Sequence, residues 1–381
     1  MEVAVVGLGI TRFGHLPHLS LEELGMEAAK KALKDAGIGP GDIQIACCAN
    51  VLAPNLQNEF TIGQKILWEL GINKIPVINV ENACSSSSSA FYLACLAIQA
   101  GAGEVALVVG VEKMLVPRKN ILDAVTGAPE AAAGFSLPAA FALKANRYMH
   151  KYGVNVEDLA LVAVKNRRHG SLNPFAQYRE PITKEDVLNS PVIAEPLTRL
   201  SCCPQSDGAA AVVICRNSMA KRFRSRPVYV SASVLLSGSY ANPPSLSTWE
   251  ADFRAAEKAY AMAGVGPEDL DVVELHDAFT IAEIMHYEGL GLATVGEGVR
   301  LVKEGFTFLG GNIPVNPSGG LLSRGHPLGA TGVAQVLEIA LQLRGEAGVR
   351  QVKGARVGLA HCMGGELHGD ARSVTIHIFS T

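Results

Sequence analysis

Ser20-Leu21-Glu22-Glu23, then the small apolar positions Leu24, Ala28, Ala29 and Ala32, a stop at Gly37 and the turn Gly39-Pro40-Gly41-Asp42-Ile43 form the stretch on which the fold turns. A serine followed three residues later by glutamate can satisfy the free N–H groups of a helix start reciprocally. The same series returns at an offset of 227 residues: Ser247 and Glu250, then Ala255, Ala256 and Ala259, a stop at Gly264, and Gly266-Pro267-Glu268-Asp269-Leu270. Cap, face, stop and turn agree in one register, which points to an internal duplication. Each copy opens with an apolar strand, residues 3–7 and 228–232. Each closes with a helix and a strand: 85–101 then 105–109, and 327–344 then 356–360. The alternation predicts an α/β fold with a largely buried sheet in each half. The first half is expected to take residues 1–113 and 201–220, and the second 227–381. An insertion over 114–200 is rich in Pro, Asn, Arg and aromatic residues. It reads as less regular and as a cover for a site. The basic run Lys221-Arg222-Phe223-Arg224-Ser225-Arg226 between the halves reads as a solvated linker.

Composition narrows the function. Of 381 residues, 48% are hydrophobic and 18% charged, enough for a large core and incompatible with a disordered scaffold. Thirty-three basic against 36 acidic residues leave a formal charge of -3, which favours neither nucleic acid nor an anionic membrane. No unbroken apolar run approaches the ~18–20 residues of a membrane helix. The first residues lack a basic leader and the last match no common address signal, so a cytoplasmic location is expected. Eight cysteines without metal-ligand spacing fit a reducing compartment, with no metal site.

Four stretches carry chemistry. Glu81-Asn82-Ala83-Cys84-Ser85 follows the strand 76–80 and enters a helix of small residues. Cys84 is thus expected at a helix N-terminus, where the dipole favours thiolate. The serine run that follows would let another backbone or a substrate approach closely. His276-Asp277-Ala278-Phe279 ends a buried strand, where α/β sites lie. Gly319-Gly320 and Ser323-Arg324-Gly325-His326-Pro327-Leu328-Gly329 place His326 among glycines, before the helix equivalent to the one after Cys84. His361-Cys362-Met363-Gly364 follows the last apolar strand. Together they offer one nucleophile, two histidines and a second thiol at equivalent strand ends.

On these residues the chain resembles the thiolase superfamily over essentially its whole length. It is most similar to sterol-carrier-protein-type thiolases and their short archaeal and bacterial relatives. The motifs are Asn82-Ala83-Cys84-Ser85, His276-Asp277-Ala278-Phe279, Asn316-Pro317-Ser318-Gly319-Gly320, Gly325-His326-Pro327-Leu328-Gly329 and Cys362-Met363-Gly364. The resemblance implies two βαβαβαββ halves in a five-layered αβαβα core, with a loop domain over the site. It implies acyl-CoA and coenzyme A as substrates, with no permanently bound cofactor. It makes Cys84 the acyl-accepting nucleophile, His326 its base, Cys362 the thiol acid/base, and His276 a donor to the enolate oxygen. Gly325, Gly364 and Asn316 would shape the oxyanion loops, and Arg167, Arg168 and Arg179 would meet coenzyme A phosphates. Several sterol-carrier-type thiolases carry a cysteine where this chain has Ala278, which leaves the acid/base role to Cys362. Partners implied are a second copy of the chain, so at least a homodimer with residues 105–109 as the buried edge, and a small zinc-ribbon/OB-fold accessory protein.

The reaction expected is cleavage of a 3-ketoacyl-CoA by coenzyme A, or the reverse Claisen condensation. The acyl group ranges from acetoacetyl to aromatic, branched or dicarboxylic. Two other readings remain at this level. A decarboxylating ketoacyl-synthase-like enzyme also uses one cysteine and two histidines. A non-thiolytic binding or retro-aldolase subunit would share the fold.

Overall fold

The computed structural model describes residues 1–117, 134–239 and 245–381; residues 118–133 of the expected insertion lie outside this range. The first half runs β1 (Val3–Ile10), α1 (Leu21–Ala36), β2 (Ile45–Ala49), α2 (Ala53–Leu56), α3 (Ile62–Glu69), β3 (Val77–Val80), α4 (Ser86–Gln99) and β4 (Val105–Lys113). Then come α5 (Leu137–Tyr152), α6 (Val156–Ser171), α7 (Lys184–Asn189), β5 (Val192–Ala194) and β6 (Leu197–Thr198), before β7 (Asp207–Arg216) returns to the sheet. The second half runs β8 (Val228–Leu236), α8 (Glu250–Ala263), β9 (Val272–Glu274), α9 (Thr280–Gly289), α10 (Gly298–Lys303), α11 (Gly320–Arg324), α12 (Thr331–Arg344), β10 (Val357–Leu367) and β11 (Asp370–Ser380).

The main sheet has the order β3-β2-β4-β7-β1-β8-β11-β10-β9. It reads alike from both ends. β2 lies parallel to β3 and β4, as β9 lies parallel to β10, and the inner pairs are antiparallel. A bridge from Val273 to Val315 stands where the first half has β3. The two half-sheets meet through a short contact, Ala4 with Tyr229 and Val5 with Val228. α1 covers β1 and β7 on one outer face, and α8 covers β8 and β11 on the other. α4 and α12 pack on each other between the half-sheets. This is the expected αβαβα stack.

The repeated stop and turn are chemically the same in both halves. Gly37 and Gly264 end their helices at φ 73° and 69°, in the left-handed region that glycine enters without a steric penalty. Asp42 accepts the N–H of Gly39, and Asp269 that of Gly266, both at 2.8 Å. The repeated cap differs. Ser20 and Glu23 form the reciprocal box. In the second half the helix starts at Glu250 behind Trp249, with no side-chain cap. Ser247 instead accepts from Lys151 at 3.3 Å, and Glu250 accepts from Ser239. A later helix start has moved Ser247 out of capping reach.

Two further expectations change. Residues 105–109 lie inside the sheet, with β4 paired to both β2 and β7. Among the described residues, β3 and β9 are the sheet's outer strands. The insertion also holds two regular sixteen-residue helices, α5 and α6. Buried polar groups on α6 anchor it, as described below.

The serine run fastens the central layer. Ser85 to Ser89 are all at most 2% exposed. Ser85 Oγ bonds Ser373 Oγ at 2.7 Å, Ser87 Oγ accepts from Val333 N at 3.0 Å, and Ser88 Oγ meets His377 Nε2 at 2.8 Å. Small residues are needed here: a Cβ on Gly332 would lie 2.5 Å from Ser88 Cβ. The serines therefore permit close approach, as expected, but to α12 and β11 rather than to a ligand. No helix among the described residues is long and apolar enough to cross a membrane.

Candidate active site

Cys84 sits on a sharp turn between β3 and α4. Ala83, just before it, has φ 49°, which is costly for a residue with a Cβ. The turn is held from several sides. Ala83 N–H donates to Glu81 at 2.7 Å, Ser86 Oγ donates to Ala83 O at 2.6 Å, and Ser85 Oγ donates to Asn82 O at 2.8 Å. Gly364 of β10 fits against this turn only because it has no side chain; a Cβ would lie 2.4 Å from Asn82 O and 2.5 Å from Ser85 Oγ.

His326 arrives from the second half. Gly325 takes φ 111°, and a Cβ there would crowd Ser206 Oγ at 2.7 Å. His326 N–H donates to that same hydroxyl at 2.9 Å. Its ring Nδ1 lies 2.7 Å from Thr331 Oγ1, whose proton goes to Pro327 O at 3.0 Å. Thr331 can then only accept, so Nδ1 carries the hydrogen and Nε2 is the free base.

His276 follows β9. Its backbone N–H donates to His361 Nδ1 at 3.4 Å. His361 Nε2 then donates to Asp252 at 3.2 Å, and Asp252 also holds His286 at 2.6 Å. Cys84 Sγ and one ring nitrogen each of His276 and His326 lie within 4.8 Å of one another. The two rings meet edge to face at 5.1 Å. Cys362 Sγ lies 3.5 Å from His276 Nδ1 and 3.2 Å from the carbonyl oxygen of Cys84. Four side chains from four distant segments thus converge. A second donor set, Asp252, His286 and His361, lies behind them within the same limit.

Burial controls the protonation states. It pushes the Cys84 thiol up to about 12, against the pull of the Gly365 N–H. Burial, helped by Arg324, lowers His326 to about 3. It likewise lowers His276, with His326 adding to the effect, and raises Cys362 well above the usual thiol range. The resting site is therefore neutral thiol beside neutral imidazole. Desolvation opposes the thiolate that the helix dipole was expected to favour.

Other predicted residues sit apart from this cluster. Asn316 is fully buried; its Oδ1 accepts from Leu275 N at 2.9 Å and its Nδ2 donates to Glu283 at 2.8 Å. Its amide braces the floor instead of facing the thiols. Arg167 is 8% exposed and stacks over Tyr178 at 4.1 Å, while Arg168 and Arg179 are exposed.

Several supporting residues escaped the sequence reading. On α6, Lys165 bonds Val315 O at 2.8 Å and Glu283 at 2.7 Å. Asn166 bonds Asp277 and Glu283, both at 2.7 Å, and His169 bonds Asn316 O at 3.0 Å. Glu112 collects N–H groups from Val51, Leu52 and Gly329, tying the His326 loop to the first half. Only Thr331 carried a visible signal, a hydroxyl five residues beyond His326 in the same glycine-rich stretch.

Two thiols and two imidazoles thus gather at strand ends of a duplicated α/β fold. The chain belongs to the thiolase family: residues 3–218 match the thiolase N-terminal domain and 237–378 the thiolase C-terminal domain-like family. It is 41% identical to the acetyl-CoA acetyltransferase of Methanothermobacter thermautotrophicus, over 100% of this chain and 99% of that one. It is 38% identical to the benzoylsuccinyl-CoA thiolase subunit BbsB of Thauera aromatica, over 96% and 95%. Among solved structures, the Ltp2-ChsH2(DUF35) aldolase superposes with a TM-score of 0.84 at 26% identity, over 99% and 97%.

Proposed function

We propose that the protein is an acyl-CoA C-acyltransferase that cleaves 3-ketoacyl-CoA with coenzyme A, or runs the reverse condensation, through an acyl-Cys84 intermediate. The observation that carries this is the convergence of Cys84, His276 and His326 within 4.8 Å, with Cys362 beside His276. His326 Nε2 takes the Cys84 proton as sulfur attacks the 3-keto carbon. The C2–C3 bond breaks, and its electron pair becomes an enolate whose oxygen His276 stabilises. Cys362 gives its proton to the enolate carbon, releasing acetyl-CoA. Coenzyme A then attacks acyl-Cys84; its thiol proton passes to Cys362, and the His326 proton returns to Cys84 as the shortened acyl-CoA leaves. Each oxyanion donor in such a site is worth ~2.7–4 kcal/mol of barrier. Substrates from acetoacetyl-CoA to bulky aromatic, branched or dicarboxylic 3-ketoacyl-CoA fit this chemistry.

A panel of these thioesters, with peptide mass analysis of the trapped enzyme, tests the reading. The acyl mass belongs on Cys84 and vanishes in Cys84→Ala. Cys362→Ala keeps acylation but loses most C–C cleavage. An acyl group on another residue overturns the assignment. The structural likeness to an aldolase favours one second reading, C–C cleavage without coenzyme A. Release of product without acyl-enzyme and without coenzyme A would select it.

We also infer a homodimer through β3. The strand's outer edge has no partner strand among the described residues, and Ile78, Phe60 and Trp68 nearby are 39%, 74% and 74% exposed. Ile78→Lys is expected to halve the mass seen by light scattering; a wild-type monomer refutes the interface. An accessory zinc-ribbon/OB-fold protein is supported by the word subunit in one relative's name and by the second component in the aldolase's. We place the enzyme in the cytoplasm, working without a permanent cofactor.

A further inference from the structure

We propose that Cys84, His276 and His326 also form a binding site for a soft divalent transition metal, zinc above all, and that metal bound there holds the enzyme inactive. The inference shares side chains with the acyl-transfer reading but requires no thioester. Tetrahedral zinc, with Zn–S of ~2.3 Å and Zn–N of ~2.0–2.1 Å, sets donor-to-donor separations of roughly 3.3–3.8 Å. Cys362 Sγ, 3.5 Å from His276 Nδ1, stands outside the set of three donors, and the fourth position goes to water. Cys84 Sγ and the two ring nitrogens are mutually within 4.8 Å, so closing on a metal takes about an ångström of side-chain movement.

The surroundings have the form of a metal site. Thr331 accepts the Nδ1 hydrogen of His326 and leaves Nε2 bare, the outer-shell contact that orients a metal-bound imidazole. One sulfur and two imidazoles select zinc-like ions over magnesium or calcium. The Cys84 sulfur binds as thiolate and its proton leaves to solvent, which neutralises one charge of the dication. The neighbouring cluster differs, because Asp252 already bridges His286 and His361 at 2.6 and 3.2 Å. A metal on Cys84 and His326 occupies both the nucleophile and its base, and so excludes acyl transfer.

Cobalt(II) titration of the metal-free protein provides the test. One equivalent is expected to give a thiolate-to-cobalt charge-transfer band that zinc displaces. Cys84→Ser should lose the band and Cys362→Ser should keep it, with far-UV circular dichroism unchanged in both. Thr331→Val should weaken zinc affinity by about 10–100-fold. Zinc should also shield Cys84 from iodoacetamide, and a chelator should restore alkylation. A band that survives in Cys84→Ser, for instance on Cys202 and Cys203, overturns the proposal. So does Cys84 alkylation that zinc leaves unchanged. None of these readouts depends on thiolysis, so they stand or fall apart from the proposed reaction.

Discussion

Thr331 decides which nitrogen of His326 is basic. Its hydroxyl proton is committed to Pro327 O, so it accepts from Nδ1 and leaves Nε2 as the bare nitrogen. Thr331→Val should lower kcat by about 10–100-fold with little change in KM, part of the ~10²–10⁴ that a positioned base supplies. The low value for His326, about 3, fixes a pH expectation. The base must be neutral, and it stays neutral until pH approaches 3. The acid limb of kcat/KM should therefore remain flat through pH 6, where an ordinary histidine titrates. A limb centred near 6.5 would show that His326 is not desolvated in the free enzyme. At this scale the sequence exposed the chemically unusual residues. Cys84 and His326 stood out through their turn and glycine contexts. Their protonation did not, because it depends on burial by segments far away in the chain.

Among the elements, the pair α4 and α12 matters most. Gly332 permits the contact, since a Cβ there would lie 2.5 Å from Ser88 Cβ and 2.6 Å from Ser88 N. Gly332→Ala should force the helices apart and cost about 1–3 kcal/mol, measured as a shift in denaturant midpoint at constant m. A neutral result would mean that the central layer yields easily. The repeated stops and turns were legible because glycine and aspartate act locally at Gly37, Gly39-Asp42, Gly264 and Gly266-Asp269. The second cap was not: Ser247 lost its role to a helix start set by Trp249, which is 1% exposed. The interior position of β4 and the anchoring of α6 through Lys165, Asn166 and His169 are long-range facts with no local spacing. The fold could thus be read from the chain, and the braces behind the site could not.

Across the whole molecule, buried titratable groups oppose one another. His169, His326 and His377 are each lowered to about 3 by desolvation. Their contribution to stability is present above the ordinary histidine value and is lost as pH falls towards 3. Glu112, Glu274 and Asp277 are each raised to about 7, again chiefly by desolvation. Their contribution is present below the ordinary carboxylate range and is lost as pH rises through 7. The two sets offset each other between about pH 4.5 and 6.5, and below that window only the histidines still change. Urea midpoints should vary little across the window and drop steeply below it, and His377→Gln should soften the drop. A steady decline starting at pH 6.5 would mean that the carboxylates are not buried in neutral form. The shared central layer has one more consequence, in the order of synthesis. β10 brings Cys362 and the Gly365 amide, and it leaves the ribosome long after Cys84, which lies 278 residues before Cys362. A nascent chain can present Cys84 long before Cys362 stands beside it. The four-residue cluster therefore assembles only once β10 has been made, and chains terminated before that strand carry an incomplete site into the cell.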